Sequence, residues 1–198
     1  FRVLHTNMKL TLPGGRCAAV MLCSAGPGEG KSTTLHHLVR LMASTGERVL
    51  LIDSDLRRPV QHRLSARPKE PGLVDWLLDR APLSSLIQTQ IAPGLDFIPS
   101  GTTGNFALGL LHLPRLRALI EQLRSRYDYI VFDSPPVIGV SDTTVLATAL
   151  DGVILLVQHR RNPQSMVLRV QQIIVGLKAN LLGVVLNQVP DRAGEDYG

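Results

Sequence analysis

The stretch from Cys17 to Thr33, CAAVMLCSAGPGEGKST, decides the fold of this chain. Residues 17–23 are continuously apolar, as a strand covered on both faces is. Next come Gly26-Pro27-Gly28-Glu29-Gly30, whose glycines permit tight turns, and a helical pattern from Lys31 to Thr45 that stops at Gly46. Strand, glycine-rich turn and helix in that order form a loop whose backbone amides can wrap a phosphate, with the helix's positive end aimed at the anion. In such a loop, which runs on to Thr33, Lys31 reaches the beta and gamma phosphates and the Ser32 hydroxyl holds Mg. The pattern G-x-x-x-x-G-K-S/T departs only at its first position, Ala25, a small change where the chain turns off the strand.

Two further apolar runs end in carboxylates. Val49 to Ile52 leads into Asp53-Ser54-Asp55-Leu56-Arg57, and Tyr129 to Phe132 leads into Asp133-Ser134-Pro135-Pro136. If its strand neighbours the phosphate loop, the Asp53 and Asp55 pair suits two jobs: holding Mg or its waters, and accepting a proton from an incoming hydroxyl. A nearby Mg and Arg57 would keep both ionised. Asp133 is placed to polarise a Mg-bound water. Arg57 and Arg58 read either as phosphate contacts, as contacts to a neighbouring subunit or as plain surface. Asp142 reads as a helix N-cap rather than a ligand. Asn187, closing the last apolar run, reads either as a turn residue or as an amide facing an adenine edge.

Around these motifs strand and helix alternate. Strands are expected at about 17–23, 48–53, 94–99, 128–133, 152–158 and 182–188. Helices are expected over Lys31 to Thr45, Gly72 to Arg80, Leu113 to Arg126, Asp142 to Leu150 and Pro163 to Ala179. The fold class is therefore α/β, a doubly wound, mostly parallel sheet with helices on both faces. In such a sheet ligands sit outside the carboxyl ends of the strands, where the three motifs emerge. Residues 61–72 and 101–109 read as loops. A short helix, Val3 to Leu12, leads in and is broken by Pro13-Gly14-Gly15, so residues 1–15 form an N-terminal helix and linker and 191–198 a mobile tail on a single domain, 1–198.

Composition narrows the partners. Aromatics are 4% of the 198 residues, too few for a base-stacking surface, so no nucleic-acid partner is expected. The net charge of +5 serves in part a polyanionic ligand, and the remainder reads as a solvated face or as a surface for lipid, DNA or an acidic partner. Cys17 and Cys23 lie too far apart on one strand to bridge and read as reduced core thiols of a cytosolic protein, with reactivity of Cys23 the alternative. No apolar run is long enough to span a bilayer. The chain begins at Phe1 with no initiator Met, as an excised domain does, which leaves room for a membrane anchor upstream. Tyr197, in the polar stretch after Asp191, reads either as a phosphoacceptor or as an inert terminal residue.

Taken together, the loop from Ala25 to Thr33, the Asp-x-Asp-x-Arg element at Asp53, Asp55 and Arg57, and the Asp-x-x-Pro element at Asp133 to Pro136 resemble the bacterial tyrosine kinases, the cytoplasmic autokinases of polysaccharide export. The resemblance covers nearly the whole chain, and the Asp-x-Asp-x-Arg element is its specific part. It implies a P-loop NTPase fold with a deviant Walker A motif like that of the MinD and ParA ATPases. It implies ATP and ADP as nucleotides with Mg, contacts from Gly26 through Thr33 and from Asn187 to adenine, and Mg organised by Ser32, Asp55 and Asp133. By the same resemblance Asp53 is the base for the tyrosine hydroxyl, with Lys31 and Asp55 beside it in catalysis. The implied partners are other copies of the chain, phosphorylated in trans, and a membrane adaptor or polysaccharide co-polymerase segment, fused or separate, that would hold the domain at the inner face of the plasma membrane.

Departures from the family pattern are local. The family's Glu-x-x-Arg-x-x-Arg helix, which supports rings, has Arg2 at its first arginine and His5 at its second. A proline-rich stretch is replaced by Gly101 to Phe106, and the terminal tyrosine cluster is represented by Tyr197 alone. The partition ATPases carry a lysine five positions before the loop lysine; here that position is Gly26. An ATP-switched ATPase of their kind, or a nucleotide-binding scaffold without phosphotransfer, is the alternative to a kinase.

Overall fold

The continuously apolar runs become strands because helices cover both of their faces. The structure, a computed structural model, describes residues 1–12, 14, 16–103 and 110–190. Helix α1 (Arg2–Thr11) precedes β1 (Ala18–Ser24), α2 (Lys31–Ser44) and β2 (Val49–Asp53). Three short helices follow, α3 (Gln61–Leu64), α4 (Leu73–Leu77) and α5 (Leu83–Leu86), and then β3 (Gln88–Ala92) and β4 (Leu95–Ile98). The chain closes with α6 (Leu113–Leu123), β5 (Tyr129–Asp133), α7 (Ser141–Ala149), β6 (Gly152–Gln158), α8 (Gln164–Gly176) and β7 (Leu181–Asn187).

The sheet order is β3-β4-β2-β5-β1-β6-β7, parallel except where β3 runs antiparallel to β4 at one edge. Side chains alternate between two core layers along β1. Ala19, Met21 and Cys23 pack with Leu116, Leu119 and Ile120 of α6, Leu146 of α7, and Val170 and Ile174 of α8. Ala18, Val20 and Leu22 pack with Leu35, Leu38, Val39 and Met42 of α2 and Met8 of α1. Each such buried aliphatic side chain contributes about 1.5–3 kcal/mol, so both layers hold the helices on the sheet.

The expected strands and long helices are present with ends shifted by a few residues. Three differences have physical causes. Strand β3 carries Gln88, Thr89 and Gln90, polar residues suited to a solvated edge, and so gives no apolar signal. The segment read as a loop from Gln61 begins with α3, whose first amides are capped by Asp53 Oδ2: Val60 N–H donates at 3.1 Å and Gln61 N–H at 3.0 Å. Asp142 is not the N-cap of α7; Val140 holds that position, and Asp142 lies inside the first turn, buried, where the helix's positive end favours a carboxylate. Residues 104–109 and the tail 191–198, Tyr197 included, lie outside the described residues.

The condition that the Asp53 strand, β2, neighbours the strand of the phosphate loop, β1, is not met by the strand order. β5 lies between them, pairing with both. Asp53 and Asp133 thus become register partners at the ends of β2 and β5, while the phosphate-binding stretch leaves β1 next door.

Candidate functional site

Ser24 ends β1 and turns the chain, its Oγ donating to the Gly26 carbonyl at 2.8 Å. Gly28 and Gly30 then adopt left-handed backbone, with φ of +73° and +86°, and Gly30 caps α2. A side chain at Gly30 would also strike Asn187, whose Nδ2 would be 2.5 Å from its Cβ, so both conformation and space demand glycine. The loop wraps a cavity of about 280 Å³ whose wall includes Gly26 to Thr33, Asp55 and Arg58. Helix α2 points its N-terminus at this cavity.

The charged groups are packed together below it. The Lys31 ammonium, buried, is bonded to Asp133 Oδ1 and lies 3.2 Å from Ser32 Oγ. Gln61 Nε2 donates to the other Asp133 oxygen at 2.8 Å and to the Ser32 carbonyl at 2.9 Å. Asp53 is fully buried, its oxygens taken by the N–H groups of Asp55, Val60 and Gln61. Asp55 is on the cavity wall and accepts the Arg58 N–H at 3.0 Å.

Burial pushes the Asp53 carboxyl up to about 8, and the charge of Asp133 adds to the rise, while the Gln61 N–H and Lys31 oppose it. Of the two groups expected to keep Asp53 and Asp55 ionised, Mg and Arg57, Arg57 is exposed and forms no ion pair with either carboxylate among the described residues, which leaves that role to the metal. It is Arg58 that lines the cavity. Glu29 lines the cavity as part of the loop, and its buried side chain turns back on it, one oxygen accepting the Gly26 N–H and the other without a partner among the described residues. Asn187 spends its Nδ2 on the Glu29 carbonyl at 2.9 Å.

Among the described residues no three His, Cys, Asp or Glu side chains converge as a metal cage. Ser32 and Asp55 offer oxygen atoms at the cavity wall, the donor type that Mg takes, while Asp133 lies behind with its two oxygens bonded by Lys31 and Gln61. Cys23, fully buried behind the loop, is pushed up to about 12 by desolvation and reads as core rather than as a nucleophile. Gln61 and Arg161, which touches the loop from outside, belong to no motif and escaped sequence reading. A second cavity, about 650 Å³, lies at the opposite end of the strands, and its Arg48 and Lys9 are already paired with Asp128 and Glu47.

The sequence family described as AAA domain matches residues 19–180. Tyrosine-protein kinase YwqD of Bacillus subtilis is 30% identical over the whole chain, which covers 84% of that kinase. A putative tyrosine-protein kinase EpsB of Ralstonia solanacearum is 31% identical, and there the chain spans only 26% of the length. The kinase domain of the Escherichia coli tyrosine kinase ETK superposes with a TM-score of 0.91 at 29% identity, over 96% of this chain and 75% of that one. MinD of Pyrococcus horikoshii, solved with Mg-ADP, superposes with a TM-score of 0.76 over 91% of this chain and 76% of that one; at 20% identity it is alike in fold alone.

Proposed function

The chain belongs to the bacterial tyrosine-protein kinases, and on that premise we propose that it transfers the γ-phosphoryl group of ATP to tyrosine, its own copies included, in capsule or exopolysaccharide synthesis. The single observation that supports this reading best is the convergence of Lys31, Ser32 and Asp55 on one loop-wrapped cavity, with Asp133 bonded to Lys31 behind it. The loop amides and Lys31 bind the β- and γ-phosphates, which requires the ammonium to share itself between phosphate and Asp133. Ser32, with Asp55 and Asp133 directly or through waters, would hold Mg, which when bound would neutralise phosphate charge.

The tyrosine oxygen attacks the γ-phosphorus, the bond to the β-phosphate oxygen breaks, ADP leaves, and the phenolic proton passes to a carboxylate of the Asp53–Asp55 pair. Asp55 is the member that borders the cavity; Asp53, behind it, fixes α3 and the turn that presents Asp55. Asn187 can offer its amide oxygen to the adenine amine while its nitrogen stays on the loop. Tyr197 is the acceptor candidate within this chain. The partner on the membrane side is a co-polymerase segment, in line with the larger size of relatives such as EpsB. Among the described residues no helix is long and apolar enough to cross a membrane.

The test is ATP-dependent phosphorylation of a tyrosine peptide by wild type, Asp55→Asn and Asp53→Asn. Loss of at least about a hundredfold in Asp55→Asn, with nucleotide still bound, is expected. Equal rates in all three would remove both carboxylates from the reaction.

A further inference from the structure

The phosphate loop is tied from behind by side chains that lie outside the loop's own motif. Arg161, in the turn between β6 and α8, donates from Nη1 to the Gly28 carbonyl at 2.7 Å and from Nη2 to the Pro27 carbonyl at 3.1 Å. The guanidinium is itself steered by Gln158 Oε1 at 2.9 Å, and Gln158 is bonded in turn to Gln188 beyond the end of β7. Asn187 takes the next carbonyl, that of Glu29. Three successive loop carbonyls, at 27, 28 and 29, are thereby held outward.

A peptide unit is planar, with its C=O and N–H pointing in opposite directions. Fixing those carbonyls on the outside turns the N–H groups of Gly28, Glu29 and Gly30 to the inside. Among the described residues none of these three amides has a protein acceptor. A row of unspent donors, left open by the left-handed glycines at 28 and 30, is what an anion nest requires. Arg161 is exposed, so its contribution is directed at the loop rather than at the core.

We propose that Arg161 is a positioning residue for nucleotide binding: clamped on the Pro27 and Gly28 carbonyls, it holds the phosphate-binding amides in their binding arrangement before nucleotide arrives. The inference rests on the loop being a nucleotide site. Without the clamp, part of the binding free energy goes into ordering the loop, and affinity for any nucleotide carrying a β-phosphate falls. Chemistry after binding is unaffected, because Arg161 touches the wall only at the outward carbonyls of Pro27 and Gly28 and is bonded to none of the carboxylates.

Arg161→Ala and Arg161→Lys are compared with wild type in four measurements: dissociation of a fluorescent ADP analogue, KM and kcat for ATP, amide hydrogen exchange of residues 24–33 without nucleotide, and melting temperature. The expected result for Arg161→Ala is about tenfold weaker ADP binding and an equal rise in KM, with kcat within about twofold. Exchange in the loop should be several-fold faster and melting unchanged, with Arg161→Lys, which can serve one carbonyl, in between. Unchanged affinity and unchanged loop exchange overturn the proposal, as does a fall in kcat at constant KM. If wild type binds no ADP, the nucleotide reading fails, and the exchange measurement still decides whether Arg161 orders the loop.

Discussion

Asp53 and Asp133 are register partners at the ends of adjacent parallel strands, both fully buried, and Gln61 bonds the two of them, one through its backbone and the other through its side chain. Two carboxylates so placed are costly to the fold unless one is protonated or a cation intervenes, and Lys31 is the cation the chain supplies. Stability is given up here for a site that accepts more positive charge.

Asp53→Asn should therefore stabilise the protein in the absence of nucleotide. The amide oxygen can keep the two N–H bonds from Val60 and Gln61, and the cost of burying an acid beside Asp133, as a charge or by taking up a proton, is gone. A gain on the order of 1 kcal/mol, read as a rise of a few degrees in melting temperature, is expected. A lower melting temperature would mean that the carboxylate is worth more to the turn than it costs beside Asp133.

Gln61→Leu tests the staple between the motifs. It leaves Asp133 Oδ2 and the Ser32 carbonyl without their donor in a buried place, at a cost of about 2 kcal/mol. Urea unfolding should show that loss, and ADP affinity should fall with it because the lysine and serine of the loop lose their fixed partner. Unfolding at wild-type denaturant concentration would show that Gln61 is a bystander.

His5 sets a pH dependence at the other end of the sheet. It is buried against the edge of the Tyr129 ring, and desolvation, then the Lys9 ammonium, lower its pKa from 6.5, while Glu47, 3.9 Å away, opposes them. The native state binds its proton less readily than the unfolded chain, so its contribution is full above about pH 6.5 and is lost as pH falls below that value toward the folded pKa. His36 and His62 are shifted the same way, burial again being the largest cause, and add to the slope. Melting temperature should drop between pH 7 and 5, and His5→Gln should flatten the curve by about 2–4 °C. A His5→Gln curve parallel to wild type would place the slope elsewhere.

The elements that were legible in the sequence are those that the core dictates. Continuous apolar runs such as Val49 to Ile52 announced strands buried on both faces, and Gly30 and Lys31 marked where β1's loop becomes a helix. What escaped was held by polar contacts between distant parts of the chain. β3 is a solvated edge with no apolar periodicity, and α3 exists because Asp53, eight residues before Gln61, caps its first turn. Gln61 and Arg161 take their roles from what lies across the sheet from them, 72 residues away for the Gln61 bond to Asp133 and 133 for the Arg161 bond to Gly28, and spacing along the sequence carries no trace of either. The carboxylate motifs were legible as chemistry, but not the strand order that sets Asp53 against Asp133 rather than beside the loop.

The central claim is that the terminal phosphate of ATP goes to tyrosine rather than to water. The chain is incubated with γ-labelled ATP and Mg, and the label is divided between phosphotyrosine, mapped by mass spectrometry, and free phosphate, with Lys31→Met as the control. Label on tyrosine, lost in Lys31→Met, is the predicted result. Free phosphate released at a steady rate with no phosphotyrosine would contradict the account and identify the protein as an ATPase switch.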